Sequence, residues 1–132
     1  MYNAVLDTNI LVSGLLSAQG NAAKIVNAVR DRQINLFYND IIMTEYNDVL
    51  FKAKLGLNPE DIDNLLTSIT SLGFLLIPKT SKFPMTDEDD RIFYDTAKTA
   101  KAYLVTGNTK HYPTEPFIIT PAQFVTENKY EL

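Results

Sequence analysis

The stretch Ala4-Val5-Leu6-Asp7-Thr8-Asn9 decides how this chain is read. Its apolar half is short and stops against polar residues, which is the pattern of a buried strand. The run ends on a carboxylate, and in open α/β sheets the residues just past a strand's carboxyl end face the crevice where ligands bind. Asp7 is therefore the first candidate for chemistry. It also has an ordinary structural use, because Asp, Thr and Asn accept hydrogen bonds from the free amides of a following helix, and residues 10–16 can form one. The rest of the chain has to decide between the two.

Outward from this strand, Gly20 and Asn21 punctuate the sequence. Residues 22–30 then place Ala22, Ile25, Val26 and Val29 on one stripe, the spacing of a helix with one buried face. Residues 34–38 read as a second strand, broken by Asn39-Asp40. Residues 41–54 return to helical spacing with Ile42, Tyr46, Val49 and Ala53 on one face, and Gly56 ends that helix. Asn58-Pro59-Glu60 is a strong helix start: Asn caps, Pro takes the first position where no amide hydrogen is needed, and acids fill the first turn. This helix carries Ile62, Leu65, Leu66 and Ile69 and stops near Gly73. A third strand is expected over 74–77, a helix over 89–100, a fourth strand over 103–106 and a last short strand over 117–120. Pro121 opens a closing helix that ends near Asn128. Strands alternating with helices predict an α/β fold of three layers, α/β/α, with a central, mainly parallel sheet of four to five strands.

At 132 residues the chain is expected to be one domain, residues 1–132, large enough to bury a core without staples. It has no cysteine, which excludes a disulfide framework and a thiolate metal site. Metal binding would rest on oxygen ligands and the single histidine. No apolar stretch approaches the ~20 residues of a membrane span, and no basic segment followed by an apolar core opens the chain, so a cytoplasmic protein with no membrane partner is expected. The net charge of -4 argues against a broad phosphate-binding surface. An acidic centre that works through hard cations remains compatible with it.

Three acids stand where such a sheet would bring them to one crevice: Asp7, Glu45 in the helix after the second strand, and the cluster Asp87-Glu88-Asp89-Asp90. At 100° per residue, Glu45 lies about 60–80° from the centre of its helix's inward stripe, and Asp48 roughly twice as far round. Glu45 can lean toward the crevice while Asp48 faces water. Asp90 shares a face with Phe93, Ala97 and Ala100, which makes it the inward acid of its cluster, with Asp87 and Asp89 in supporting positions. Some of these acids also complement the helix dipole, worth ~0.3–1 kcal/mol each. Two carboxylates ~4 Å apart repel by about 4 kcal/mol at an effective dielectric of ~20, so a convergent triad needs protons or a cation. Oxygen-only ligation points to Mg²⁺ or Mn²⁺, which activate water and hold phosphate oxygens. Lys79, Lys82, Lys110 and His111 are candidate phosphate contacts, and the Thr106-Gly107-Asn108 turn can add a polar group.

Taken together, Leu6-Asp7-Thr8-Asn9, Glu45 followed by Val49-Leu50, Asp87 through Asp90 with Ala97 beyond, and Leu104-Val105-Thr106-Gly107-Asn108 resemble, in order and spacing, the PIN domain. More narrowly they are similar to the bacterial and archaeal branch that supplies toxin components of toxin–antitoxin pairs. No single motif is specific, but four in this order over one short chain are. The resemblance implies a metal-dependent endoribonuclease with an acidic pocket for Mg²⁺ or Mn²⁺. By position, Asp7, Glu45 and Asp90 match the acidic ligands, and Asn9 and Thr106 match the polar residues that orient them. The resemblance also implies an RNA substrate, a homodimer and a cognate antitoxin. One departure matters: the position that commonly carries a fourth acid is Asn108, which can ligate a cation but adds no charge, and a second metal would bind there more weakly.

Two other readings stay open on the residues themselves. A non-catalytic module that binds RNA or a protein fits Asn108 and the acidic net charge. A phosphotransferase using Asp7 as nucleophile would place a second Asp two residues later, where this chain has Asn9.

Overall fold

The structure is a computed structural model that describes residues 2–127. The first strand, β1 (Tyr2–Leu6), takes Ala4, Val5 and Leu6 fully out of solvent, as expected of a strand covered on both faces. Two helices follow, α1 (Thr8–Leu16) and α2 (Asn21–Arg30), then β2 (Ile34–Tyr38) and α3 (Asp40–Leu50). The chain continues through α4 (Pro59–Leu72), β3 (Phe74–Leu75), α5 (Arg91–Ala100), β4 (Tyr103–Val105), β5 (Ile118–Ile119) and α6 (Pro121–Glu127).

All strand pairings are parallel, and the order across the sheet is β3-β2-β1-β4-β5. The first three strands therefore run outward in one direction from β1, and the chain then returns to the other side of β1 to place β4. Right-handed crossovers taken in opposite directions put their helices on opposite faces, which yields the three layers. The order reverses between β1 and β4, and the crevice past the carboxyl ends of those two strands is where such sheets place their sites. Registry there is tight: Leu6 pairs with Val105, and the Asp7 amide donates to the Val105 carbonyl at 3.0 Å.

The expected helical stripes are buried, among them Ala22, Ile25, Val26 and Val29 on α2 and Ile62, Leu65 and Ile69 on α4. Gly14 of α1 faces α2 so closely that a Cβ there would meet Val26 Cγ2 at 3.0 Å. The helix at 41–54 is shorter than the periodicity predicts. It ends at Leu50, Ala53 is exposed, and residues Ala53–Leu55 form a separate tight turn closed by Gly56 at φ 63°, a conformation glycine adopts without penalty. The third strand is also shorter, because beyond Leu75 the chain leaves the sheet edge and Ile77 is 87% exposed. The expected end of the last helix near Asn128 lies outside the described residues. Among the described residues, no helix is long and apolar enough to cross a membrane.

Candidate active site

Asp7 follows β1 directly and is both a cap and a member of a polar network. One oxygen, Oδ1, accepts the Thr8 amide at 2.8 Å at the start of α1. The other, Oδ2, accepts the hydroxyls of Thr106 at 2.8 Å and Tyr112 at 3.0 Å, and the Asn9 amide nitrogen lies at 3.4 Å. Asn9 in turn accepts the Gly107 amide at 3.0 Å through Oδ1, and Thr106 Oγ1 accepts the Asn108 amide at 3.0 Å. The turn after β4 is thus stitched to the turn after β1, and the carboxylate of Asp7 has one orientation. Beneath it, Tyr46 of α3 donates its hydroxyl to the Leu6 carbonyl at 2.6 Å, fixing α3 against the end of β1.

That anchor places Glu45, the residue before Tyr46, over the same crevice. Glu45 is partly buried and accepts a very short hydrogen bond from the Thr8 hydroxyl. Burial pushes its carboxyl upward, the Thr8 bond opposes this, and the charges of Asp7, Asp89 and Asp87 push it up further. Asp48 of the same helix is exposed, as its angle predicts.

Asp90 comes from the tight turn Glu88–Asp90 that leads into α5, and its side chain is 16% exposed. Its carboxyl is raised to about 6, first by burial and then by Asp7 and Asp87, with a smaller push from Glu45. His111 opposes this from 3.8 Å, Nδ1 to Oδ2. The structure therefore brings Asp7, Glu45 and Asp90 into electrostatic reach of one another, and His111 is their only partner at ion-pair range among the described residues. Asp87 uses Oδ1 to accept the Asp89 amide at 3.0 Å, and both residues are exposed at the rim. Asn108 is exposed beside Thr106, and its side chain caps nothing. Lys82 and Lys110 lie exposed on loops.

Among the described residues, no group of three or more acidic or histidine side chains stands close enough together to hold a metal ion on its own. The donor chemistry nevertheless fits a hard divalent cation. Glu45 and Asp90, raised by burial and then by the charges of Asp7 and other nearby acids, and with no Lys or Arg bonded to them among the described residues, match an ion that takes one or two carboxylates and keeps several waters, which is how Mg²⁺ is usually held. Asp7, Glu45 and Asp90 are the residues that could hold it.

Two participants escape a reading of sequence pattern. Tyr112 looks like one aromatic among several in a loop, and Thr8 looks like a helix cap. Their contacts with Asp7 and Glu45 span 105 and 37 residues of chain.

A family model described as PIN domain matches residues 3–110. The uncharacterized protein MJ1680 of Methanocaldococcus jannaschii is 29% identical over 107 residues, covering 79% of this chain and 69% of its own length. No solved structure matches.

Proposed function

This chain belongs to the PIN domain family, a nuclease-type fold, and from that premise we propose that it is a metal-dependent endoribonuclease. It hydrolyses RNA phosphodiester bonds with Mg²⁺ or Mn²⁺ at Asp7, Glu45 and Asp90. One observation carries this reading: carboxylates from three separate elements lie within electrostatic reach of one another at the switch point of the sheet, where burial, and after it the charge of neighbouring acids, raises Glu45 and Asp90. Such a centre is stabilised by a cation.

The chain's own residues have distinct parts. Asp7 is held rigid by Thr106, Tyr112 and Thr8, so it presents its charge without reorganisation. Glu45 Oε2 is steadied by the Thr8 hydroxyl. Asp90 loses its proton as the pH rises through about 6, completing the negative pocket. Asn9 and Thr106 hold the two turns together beneath the site, while Asn108 offers a neutral oxygen at the rim. A bound divalent cation supplies Lewis-acid polarisation of the phosphate and a more acidic water. Asp87 and Asp89 add negative potential, and Lys82, Lys110 and His111 are candidate contacts for phosphate.

In the family's bacterial and archaeal branch this activity belongs to the toxin of a toxin–antitoxin pair. The corresponding reading here is a cytoplasmic homodimer formed by one PIN-like domain, residues 1–132, and restrained by a cognate antitoxin. A catalytically weak module that binds RNA or a protein is favoured only by Asn108 at the fourth position. The deciding experiment is cleavage of structured and single-stranded RNAs by the wild type and by Asp7→Asn, each with Mn²⁺, Mg²⁺ or EDTA. The nuclease reading expects cleavage that needs both the ion and Asp7; cleavage that survives EDTA or the substitution overturns it.

A further inference from the structure

A cleft of about 560 Å³ lies at the other end of the sheet from the acidic centre. Asn3 near the start of β1 and Tyr103 at the start of β4 line it, together with Lys98 and Lys101 around the end of α5. Along β1, Asn3 stands ~13 Å from Asp7 at ~3.3 Å per residue, so the two places are separate. The volume falls in the ~300–1,000 Å³ range of small-molecule sites. Among the described residues no acid lines this cleft, whereas four others of about 380–580 Å³ each carry at least one. In a chain of net charge -4, it is the one of these clefts whose wall does not repel an anion.

The polar groups it offers are donors. Lys98 and Lys101 are both exposed, and among the described residues neither has a carboxylate within ion-pair range. Lys98 Nζ lies 5.7 Å from the centre of the Tyr94 ring, while the nearby Glu115 accepts the Tyr94 hydroxyl at 3.3 Å. Lys101 caps α5 at φ 54°, a left-handed conformation that favours glycine, so the chain keeps a lysine where a side chain is disfavoured. Its charge suits the carboxyl end of α5, and its flexible stem lets the same charge serve the cleft. Asn3 Oδ1 accepts the Asn35 side-chain amide at 3.1 Å, which leaves the amide hydrogens of Asn3 for a ligand. The rest of the wall is largely aromatic. Tyr103 and Phe117 are half-buried, and the Tyr103 hydroxyl is bonded to Glu127, so the ring is what this residue offers. Neither ring has a parallel partner: Tyr103 meets Phe124 at 83°, and Phe117 meets Tyr94 at 46°.

Cations beside aromatic rings are the means by which proteins hold single-stranded nucleic acid without reading its sequence: the cations take phosphate and the rings take bases. We propose that this cleft is a second nucleotide-binding site, in which Lys98 and Lys101 take the phosphate and Tyr103 and Phe117 stack the base. Every base has a π-face, so the site accepts any of them. The nucleotide is a unit of an RNA strand cut at the acidic centre, or a free mononucleotide, and the phosphate-plus-base chemistry is the same for both. Only the first source rests on the ribonuclease reading above. For that source the cleft supplies the positive anchoring that the acidic centre lacks, and it takes no part in the chemistry.

The test is binding without cleavage. Labelled single-stranded RNA is followed by fluorescence anisotropy in EDTA at several salt concentrations, and AMP, UMP and inorganic phosphate are titrated by calorimetry. The proteins are wild type, the double variant Lys98→Gln with Lys101→Gly, and Tyr103→Leu. Lys101→Gly removes the side chain and eases the left-handed backbone, so the double variant carries the test if Tyr103→Leu does not fold. We expect the double variant to bind RNA more weakly and to lower the slope of log affinity against log salt by about 1.4, two phosphate contacts at ~0.7 each. Tyr103→Leu should cost about tenfold with the slope unchanged. If AMP and UMP alone bind, with the same losses, the site stands with a free nucleotide as its occupant. No binding of RNA or mononucleotide, or affinities for both unmoved in the double variant, overturns the inference and leaves the nuclease reading intact, since no cleavage is measured. Phosphate that binds as tightly as AMP overturns it too, by assigning a simple anion site. A tetraglutamate peptide that displaces the nucleotide at equal concentration assigns the cleft to an acidic protein segment and has the same effect.

Discussion

The Tyr112 hydroxyl donates to Asp7 Oδ2 at 3.0 Å, joining residues 105 positions apart in a buried contact. Burial and the Asp7 charge push the tyrosine well above its ordinary range, so it stays a donor at every accessible pH. Tyr112→Phe keeps the ring packing and deletes one bond to a carboxylate, a loss of about 1.5–3 kcal/mol. Urea unfolding is expected to show that loss with an unchanged slope, together with reduced cleavage. Wild-type stability in the variant would mean the contact contributes nothing.

Asp90 sets a pH dependence whose sign can be worked out. Its carboxyl is raised from 3.8 to about 6 on folding, so between those values the folded chain binds more protons than the unfolded one. Stability from this group therefore falls as pH rises through that window, and above about 6 the full cost remains. In metal-free protein Asp90→Asn should be more stable than wild type at pH 7.5 by about 1–2 kcal/mol, discounted for solvent at the partly exposed carboxyl. The gap should close toward pH 4. Chemical denaturation at several pH values decides this, and an Asn variant less stable at pH 7.5 contradicts it.

A divalent cation should reverse that penalty. At ~100 times its dissociation constant a ligand specific to the folded state adds about 2.7 kcal/mol. Melting temperature in Mn²⁺ or Mg²⁺ at pH 7.5 is expected to rise, to fall back in EDTA, and to rise less at pH 5, where the proton competes at Asp90. Asp7→Asn should remove most of the shift. Equal shifts in wild type and variant would place the ion elsewhere.

Arg91 ties the loop before α5 to the start of that helix through Ser81, Phe83 and Glu88. Lysine keeps the charge but lacks the planar fork. Arg91→Lys should leave the global unfolding transition in place while amide exchange at Ser81 speeds up, since the Ser81 amide donates to Asp95 across the same loop. Unchanged exchange would show that the loop holds without the fork.

The alternation of strands and helices, the buried stripes and the position of Asp7 at a strand end are legible in the chain alone, because they follow from periods of two and 3.6 residues and from local caps. Ile34–Tyr38 and the Asn58-Pro59 helix start are read this way directly. Glu45 and Asp90 were legible as inward acids for the same reason, since an angle around a helix is a local quantity. Packing between distant segments set the strand order, the early end of α3 at Leu50 and the stub of β3. It also decided that Tyr112 and Thr8 would grip Asp7 and Glu45, and that Asp95 would be buried with one oxygen unmatched. Each of those depends on which distant segments meet, and local periodicity carries no record of a partner tens of residues away.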